Sequence, residues 1–183
     1  MYARLQTLAR GIDRLAELTG RCVAWLTLGL VCVTFAVVIL RYLFNFGSIA
    51  MQEMITYLHA TVFMLGAAYT LRHNGHVRVD IFYRQWTVRT RAWIDLLGTL
   101  LLLFPVCIFI FLSSLDYVDA SWSTHEGSRE SGGLNAVYLL KTAIPVMAVM
   151  LVLQGCATIV HSILAITGKP DVQAADTGLD REL

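Results

Sequence analysis

The run QEMITYLHATVFMLGAAYTLRHNGHVRVDIFYRQWTVRTRAW, residues 52–93, decides how the rest of the chain is read. Its first part, 55–71, contains no formal charge. At a rise of ~1.5 Å per residue, a helix of that length with its flanks covers the hydrocarbon core of a bilayer. The apolar segment stops at Arg72, and Arg78, Arg84, Arg89 and Arg91 follow closely. Lys and Arg resist translocation during insertion, so this basic loop marks the cytoplasmic side of the crossing.

Composition points the same way. Of 183 residues, 57% are hydrophobic and only 15% charged, and the mean hydropathy is +0.64. That leaves too little polar surface to cover a soluble globule of this size, so the chain reads as an integral membrane protein. The net charge of +1 hides segregated basic and acidic segments, a pattern that does not suggest nucleic acid as a partner. Cys22, Cys32, Cys107 and Cys156 lie in or beside apolar segments without CxxC spacing. They read as membrane packing residues rather than disulfide or metal ligands.

Toward the N-terminus, residues 22–40 are uninterruptedly apolar and form a first crossing. Arg41-Tyr42 closes it, and a short turn with Asn45, Gly47 and Ser48 leads into the second crossing, 53–71. Such a short connection predicts a tight antiparallel pair. Upstream, residues 1–21 place Leu5, Leu8, Ile12 and Leu15 on one helical face. Arg4, Arg10, Asp13, Arg14, Glu17 and Arg21 occupy the others, the pattern of an amphipathic helix lying on a membrane surface. A long charged region with no small-residue cleavage site distinguishes it from a secretory signal.

Toward the C-terminus, a third crossing falls at about 94–115, with Pro105 predicting a kink. The linker 113–135 contains Asp116, Asp119, Glu126 and Glu130, with Arg129 its one base, and is assigned to the external side. The fourth crossing spans 137–166; Pro145 suits the first turn of its apolar core, and Lys141 is placed to snorkel outward. Residues 167–183 form a polar tail. The expected fold is therefore an all-α integral membrane protein with four transmembrane helices and both termini cytoplasmic. An amphipathic N-terminal helix and an interfacial helix between the second and third crossings complete it.

Gln52, Thr56, His59, Phe63, Gly66, Ala67 and Thr70 recur at helical spacing along one face of the second crossing. Small and polar groups in one stripe let helices approach and hydrogen-bond, either within this bundle or with a second membrane protein. Arg41 and Glu53 flank the external turn as solvated charges, lipid contacts or an ion pair that fixes it. Arg72, His76, Arg78 and Asp80 are further structural or lipid-facing charges, and Asp116, Asp119, Glu126, Arg129 and Glu130 could contact an external partner. His59, His73, His76 and His161 raise the alternative of a haem- or quinone-binding membrane anchor. However, His59 and His161 fall at opposite membrane faces. No acid lies near the midplane and no inverted repeat is visible, which argues against a self-sufficient carrier. A membrane interaction protein without a transport role is the third reading.

Four runs then stand out: VILRYLFNFGSIAMQE (38–53), YLHATVFMLGAAYTL (57–71), GHVRVDIFY (75–83) and DLLGTLLLLFPVC (95–107). With them, the span 25–155 resembles the small, Q-type membrane subunit of tripartite ATP-independent periplasmic (TRAP) transporters. The shared pattern is Arg41-Tyr42 at the end of the first crossing, Glu53 opening the second, and His76-Val77 with Val79-Asp80 after it. GHVRVDIFY, YLHA and GAAYTL look closest to a branch labelled for mannitol, chloroaromatic compounds or 2-oxo acids. The resemblance implies a bacterial inner-membrane scaffold for a large, elevator-type membrane subunit, served by a periplasmic binding protein that captures organic acids. It also implies no catalytic, metal or substrate site and no cofactor here, since sodium is used by the large partner. Residues 77–93, with Tyr83, Trp86 and Trp93, would brace the inner membrane face.

Overall fold

A computed structural model of the chain describes residues 2–76 and 86–168. Among these residues the protein is all helix and turn: α1 (Tyr2–Leu43), α2 (Ile49–Arg72), α3 (Val88–Gly98), α4 (Phe104–Ser123) and α5 (Val137–Ile166). A π-helical turn, Thr99–Leu103, joins α3 to α4, so the two form one long helix. Four helices are thus long and apolar enough to cross a membrane.

Which side chains turn outward accounts for the hydropathy. Trp25, Phe35, Leu101, Leu102 and Phe109 are all more than half exposed. In water such a belt would aggregate; against acyl chains it matches its surroundings. The core is built instead from small residues: Ala9 and Ala16 on α1, Ala68 on α2, and Ala148 and Ala157 on α5. Lipid supplies no hydrophobic drive between helices, so stability rests on close packing and interhelical polar contacts. Gly20 shows how close: a Cβ there would lie 2.2 Å from the Tyr69 ring on α2. At Gly155 it would lie 2.6 Å from Phe104.

α5 touches every other helix and the π-turn, with the α1–α2 pair to one side and α3–α4 to the other. The bundle therefore has its hub in the last crossing. Two ends can be distinguished. The turn end holds residues 44–48 and 124–136, and the basic end holds Arg72 and the C-terminus of α5.

Several boundaries depart from the sequence reading. α1 continues unbroken through residues 21 and 22, so the N-terminal amphipathic segment and the first crossing are one helix. On this segment Leu5, Leu8 and Leu15 are exposed, whereas Ala9, Asp13 and Ala16 are buried. The bundle thus packs small residues and a paired acid, and leaves the leucines outside. α3 begins at Val88, so residues 88–93 belong to the third long helix rather than to a separate interfacial helix; residues 77–85 lie outside the described residues.

Distortion near Pro105 takes the form of the π-turn immediately before it, which accommodates the missing proline N–H by widening the helix. Pro145 lies well inside α5, not in its first turn, because the helix already starts at Val137. Cys107 is buried as expected of a packing residue, but Cys22, Cys32 and Cys156 are exposed, and all four are free thiols. Residues 169–183 of the polar tail lie outside the described residues.

Candidate functional site

The stripe on α2 divides along its length. Gln52, Thr56, His59 and Phe63 are exposed, Phe63 to 72%. Among the described residues, none of the three polar members takes a hydrogen-bond partner from another helix. Gly66, Ala67 and Thr70 are only half-exposed and turn into the bundle. Gly66 faces Val23 on α1, and the Thr70 hydroxyl donates to the Gly66 carbonyl at 3.0 Å. The basic half of the stripe is thus internal packing, and the turn-end half is an outward polar face.

At the basic end, three helices converge on a buried carboxylate. Asp13 accepts from the Gln154 amide at 2.9 Å and lies 3.0 Å from Nε2 of His161, both on α5. Arg72 on α2 donates to the Asp13 carbonyl at 2.8 Å and to Glu17 at 2.6 Å. Glu17 also meets His73 at 3.0 Å and Arg21 at 3.1 Å. Arg72 thereby clamps α1 to α2. Asp13, Glu17, Gln154 and His161 were not singled out as a group. Asp13 falls every three to four residues from Ala9 and Ala16, so small-residue spacing rather than leucine spacing was the signal for it. His76 is exposed, whereas Arg78 and Asp80 lie outside the described residues.

The turn end is organised by two further acids. Glu53 accepts from the Ser128 hydroxyl and from the Leu134 backbone N–H, the latter at 2.6 Å. It therefore pins the 124–136 loop rather than pairing with Arg41, which is exposed and makes no ion pair among the described residues. Glu126 binds Lys141 and accepts from the Ser121 hydroxyl at 2.7 Å, while its carbonyl accepts from Val137 N–H at 3.1 Å. Lys141 and Ser121 together hold the Glu126 carboxyl below the usual carboxylate range. Lys141 consequently lies over the Tyr117 ring, 3.8 Å from its centre, instead of snorkelling into solvent.

Among the charges of residues 116–130, Glu126 thus serves the loop's own fold. Asp116, Asp119, Arg129 and Glu130 remain exposed, and Asp116 and Asp119 project from the last turns of α4 rather than from a linker. No cluster of three or more His, Cys, Asp or Glu side chains suited to a metal occurs among the described residues.

The arrangement offers polar clamps between helices and outward polar faces. Residues 30–165 match the family described as Tripartite ATP-independent periplasmic transporters, DctQ component. No curated protein and no solved structure gives a significant match.

Proposed function

Because the chain belongs to the DctQ component family of tripartite ATP-independent periplasmic transporters, we propose that it is the stationary scaffold of a three-part importer. The family works with a large membrane subunit and a substrate-binding protein. In this reading the large subunit carries an organic acid across the bacterial inner membrane by an elevator motion coupled to sodium. This chain binds neither substrate nor sodium, has both termini in the cytoplasm, and keeps the stationary part of its partner from being dragged through the bilayer. The similarity of GHVRVDIFY, YLHA and GAAYTL supports a substrate from the branch labelled for mannitol, chloroaromatic compounds or 2-oxo acids.

The observation that supports this reading most directly is the outward face formed by Thr56 and His59 beside Phe63 on a membrane-spanning helix. Polar side chains turned toward acyl chains are costly, and a second membrane protein that hydrogen-bonds them removes that cost. Phe63 adds an aromatic anchor of the kind that dominates interfaces. The exposed charges Asp116, Asp119, Arg129 and Glu130 lie at the turn end, where they form a rim for the binding protein.

Reconstitution tests the scaffold. The large subunit and binding protein should take up substrate into vesicles only when this chain is present, and this chain alone should bind none. Full uptake without it would refute the role. Replacing Thr56 and His59 by Leu should leave the isolated chain folded but abolish its co-purification with the large subunit.

A further inference from the structure

At the α1–α2 turn lies an open groove of about 620 Å³ lined by Arg41, Tyr42, Asn45, Gly47, Ile49 and Gln52. That volume falls in the ~300–1,000 Å³ range of small-molecule sites. Its walls are set by backbone. The Leu40 carbonyl accepts from the N–H groups of Phe44 at 3.3 Å and Phe46 at 2.9 Å, and Asn45 takes a left-handed conformation at φ 52°. Ser48 then caps α2 through Met51 N–H at 3.4 Å. The groove is therefore preformed by the turn.

Its contents define a ligand. Arg41 is a permanent cation whose planar fork suits a phosphate, and no carboxylate neutralises it, since Glu53 is committed to Ser128 and Leu134. Asn45 and Gln52 add amide donors and acceptors. Among the described residues no acid lines the groove, so none of them would balance a headgroup ammonium, whereas hydroxyls would find the two amides. Position completes the case. The turn joins two membrane-spanning helices and so lies at the membrane–water boundary. Around it Tyr42, Leu43, Phe44 and Phe46 are exposed by 78%, 73%, 68% and 55%, which are side chains suited to the headgroup and upper acyl level.

We propose that this groove binds the headgroup of an anionic, hydroxyl-bearing phospholipid of the phosphatidylglycerol class, with Arg41 on its phosphate and Asn45 and Gln52 on its glycerol. The site requires only the membrane-spanning fold, not the transporter role, so its test uses the full-length chain alone.

Native mass spectrometry and thermal melting of the detergent-purified chain, titrated with phosphatidylglycerol, read the binding. Arg41→Ala should weaken it at least about tenfold, the loss expected for a charge-assisted contact, and Arg41→Lys should retain part of it. Asn45→Gly keeps the left-handed backbone and should weaken binding less than Arg41→Ala. Melting without added lipid should be unchanged in all three variants. Undiminished binding by Arg41→Ala would overturn the site. Equal retention of phosphatidylethanolamine would overturn the headgroup class. An equal melting shift from glycerol 3-phosphate, which has the headgroup phosphate but no acyl chains, would overturn the lipid as its source.

Discussion

Asp13 on α1 and Gln154 on α5, 141 residues apart in sequence, share a 2.9 Å hydrogen bond in the interior of the basic end. Gln154 is 2% exposed and Asp13 5%. Neither group could be accommodated there alone, because an isolated carboxylate or amide without water or a partner is costly to bury. With Arg72 and His161 the pair locks three helices together.

Removing the acid should therefore cost far more than a surface change. In Asp13→Ala, Gln154 loses its acceptor, His161 its carboxylate and Arg72 one of its two acidic neighbours. A loss on the order of 3 kcal/mol is expected, measured as a lower unfolding midpoint in detergent. The double variant Asp13→Leu with Gln154→Leu should recover part of the loss, since it leaves fewer polar groups stranded. Strict additivity of the two single changes would show that the pair is not coupled.

Helix contact is the second determinant, and two glycines separate it from helix propensity. At Gly155 an added Cβ would meet Phe104 at 2.6 Å and Leu103 at 2.9 Å, whereas at Gly29 it would meet nothing within 4 Å. Gly155→Ala should destabilise by about 1–3 kcal/mol through overpacking. Gly29→Ala should stabilise by up to ~1 kcal/mol, because alanine is the better helix former. Opposite signs in thermal melting confirm the packing; the same sign for both would remove it.

These two cases show how much could be read beforehand. Long apolar runs, the first two closed by Arg41 and Arg72, mark the crossings in the sequence, since the bilayer imposes length and composition directly. Partner choice was harder to see. The Asp13 carboxylate looked solvated because charge on an amphipathic helix ordinarily is, and only the arrival of Arg72, Gln154 and His161 from distant segments made burial possible. Glu53 likewise reads from sequence as a solvated charge, a lipid contact or a partner of Arg41, because its N–H donor, at Leu134, lies 81 positions beyond it. The stripe on α2 was legible as a face. Its division into an outward half and a packed half depended on where α1 lies.

Acid should loosen the turn end before the rest of the bundle. The Glu126 carboxyl is held below its ordinary value by hydrogen bonds from Lys141 and Ser121. A depressed folded pKa means that the charged form stabilises the fold above the unfolded value, and that this contribution disappears as pH falls through the folded value. Hydrogen exchange at the Val137 N–H, which donates to the Glu126 carbonyl, should accelerate, after correction for intrinsic rates, as pH drops below the ordinary carboxylate range near 4.5. Glu126→Gln should show the faster exchange already at neutral pH and little further change on acidification. A pH response identical to that of the unsubstituted chain would exclude Glu126 as its source.

Charge reversal distinguishes the two possible partners of Glu53. An Arg41–Glu53 ion pair would make the swap Arg41→Glu with Glu53→Arg restorative. Glu53 instead accepts from Ser128 and Leu134, both donors that an arginine cannot replace an acceptor for, and Arg41 is exposed. Glu53→Arg should free the 124–136 loop, seen as faster proteolysis between α4 and α5, and adding Arg41→Glu should not slow it. Arg41→Glu alone should change melting by no more than ~0.5 kcal/mol, the usual range for a surface substitution. Glu53→Gln keeps one acceptor oxygen but no charge, so loop protection should be intermediate between the original chain and Glu53→Arg. Rescue by the double reversal would restore the ion-pair reading and remove the clamp.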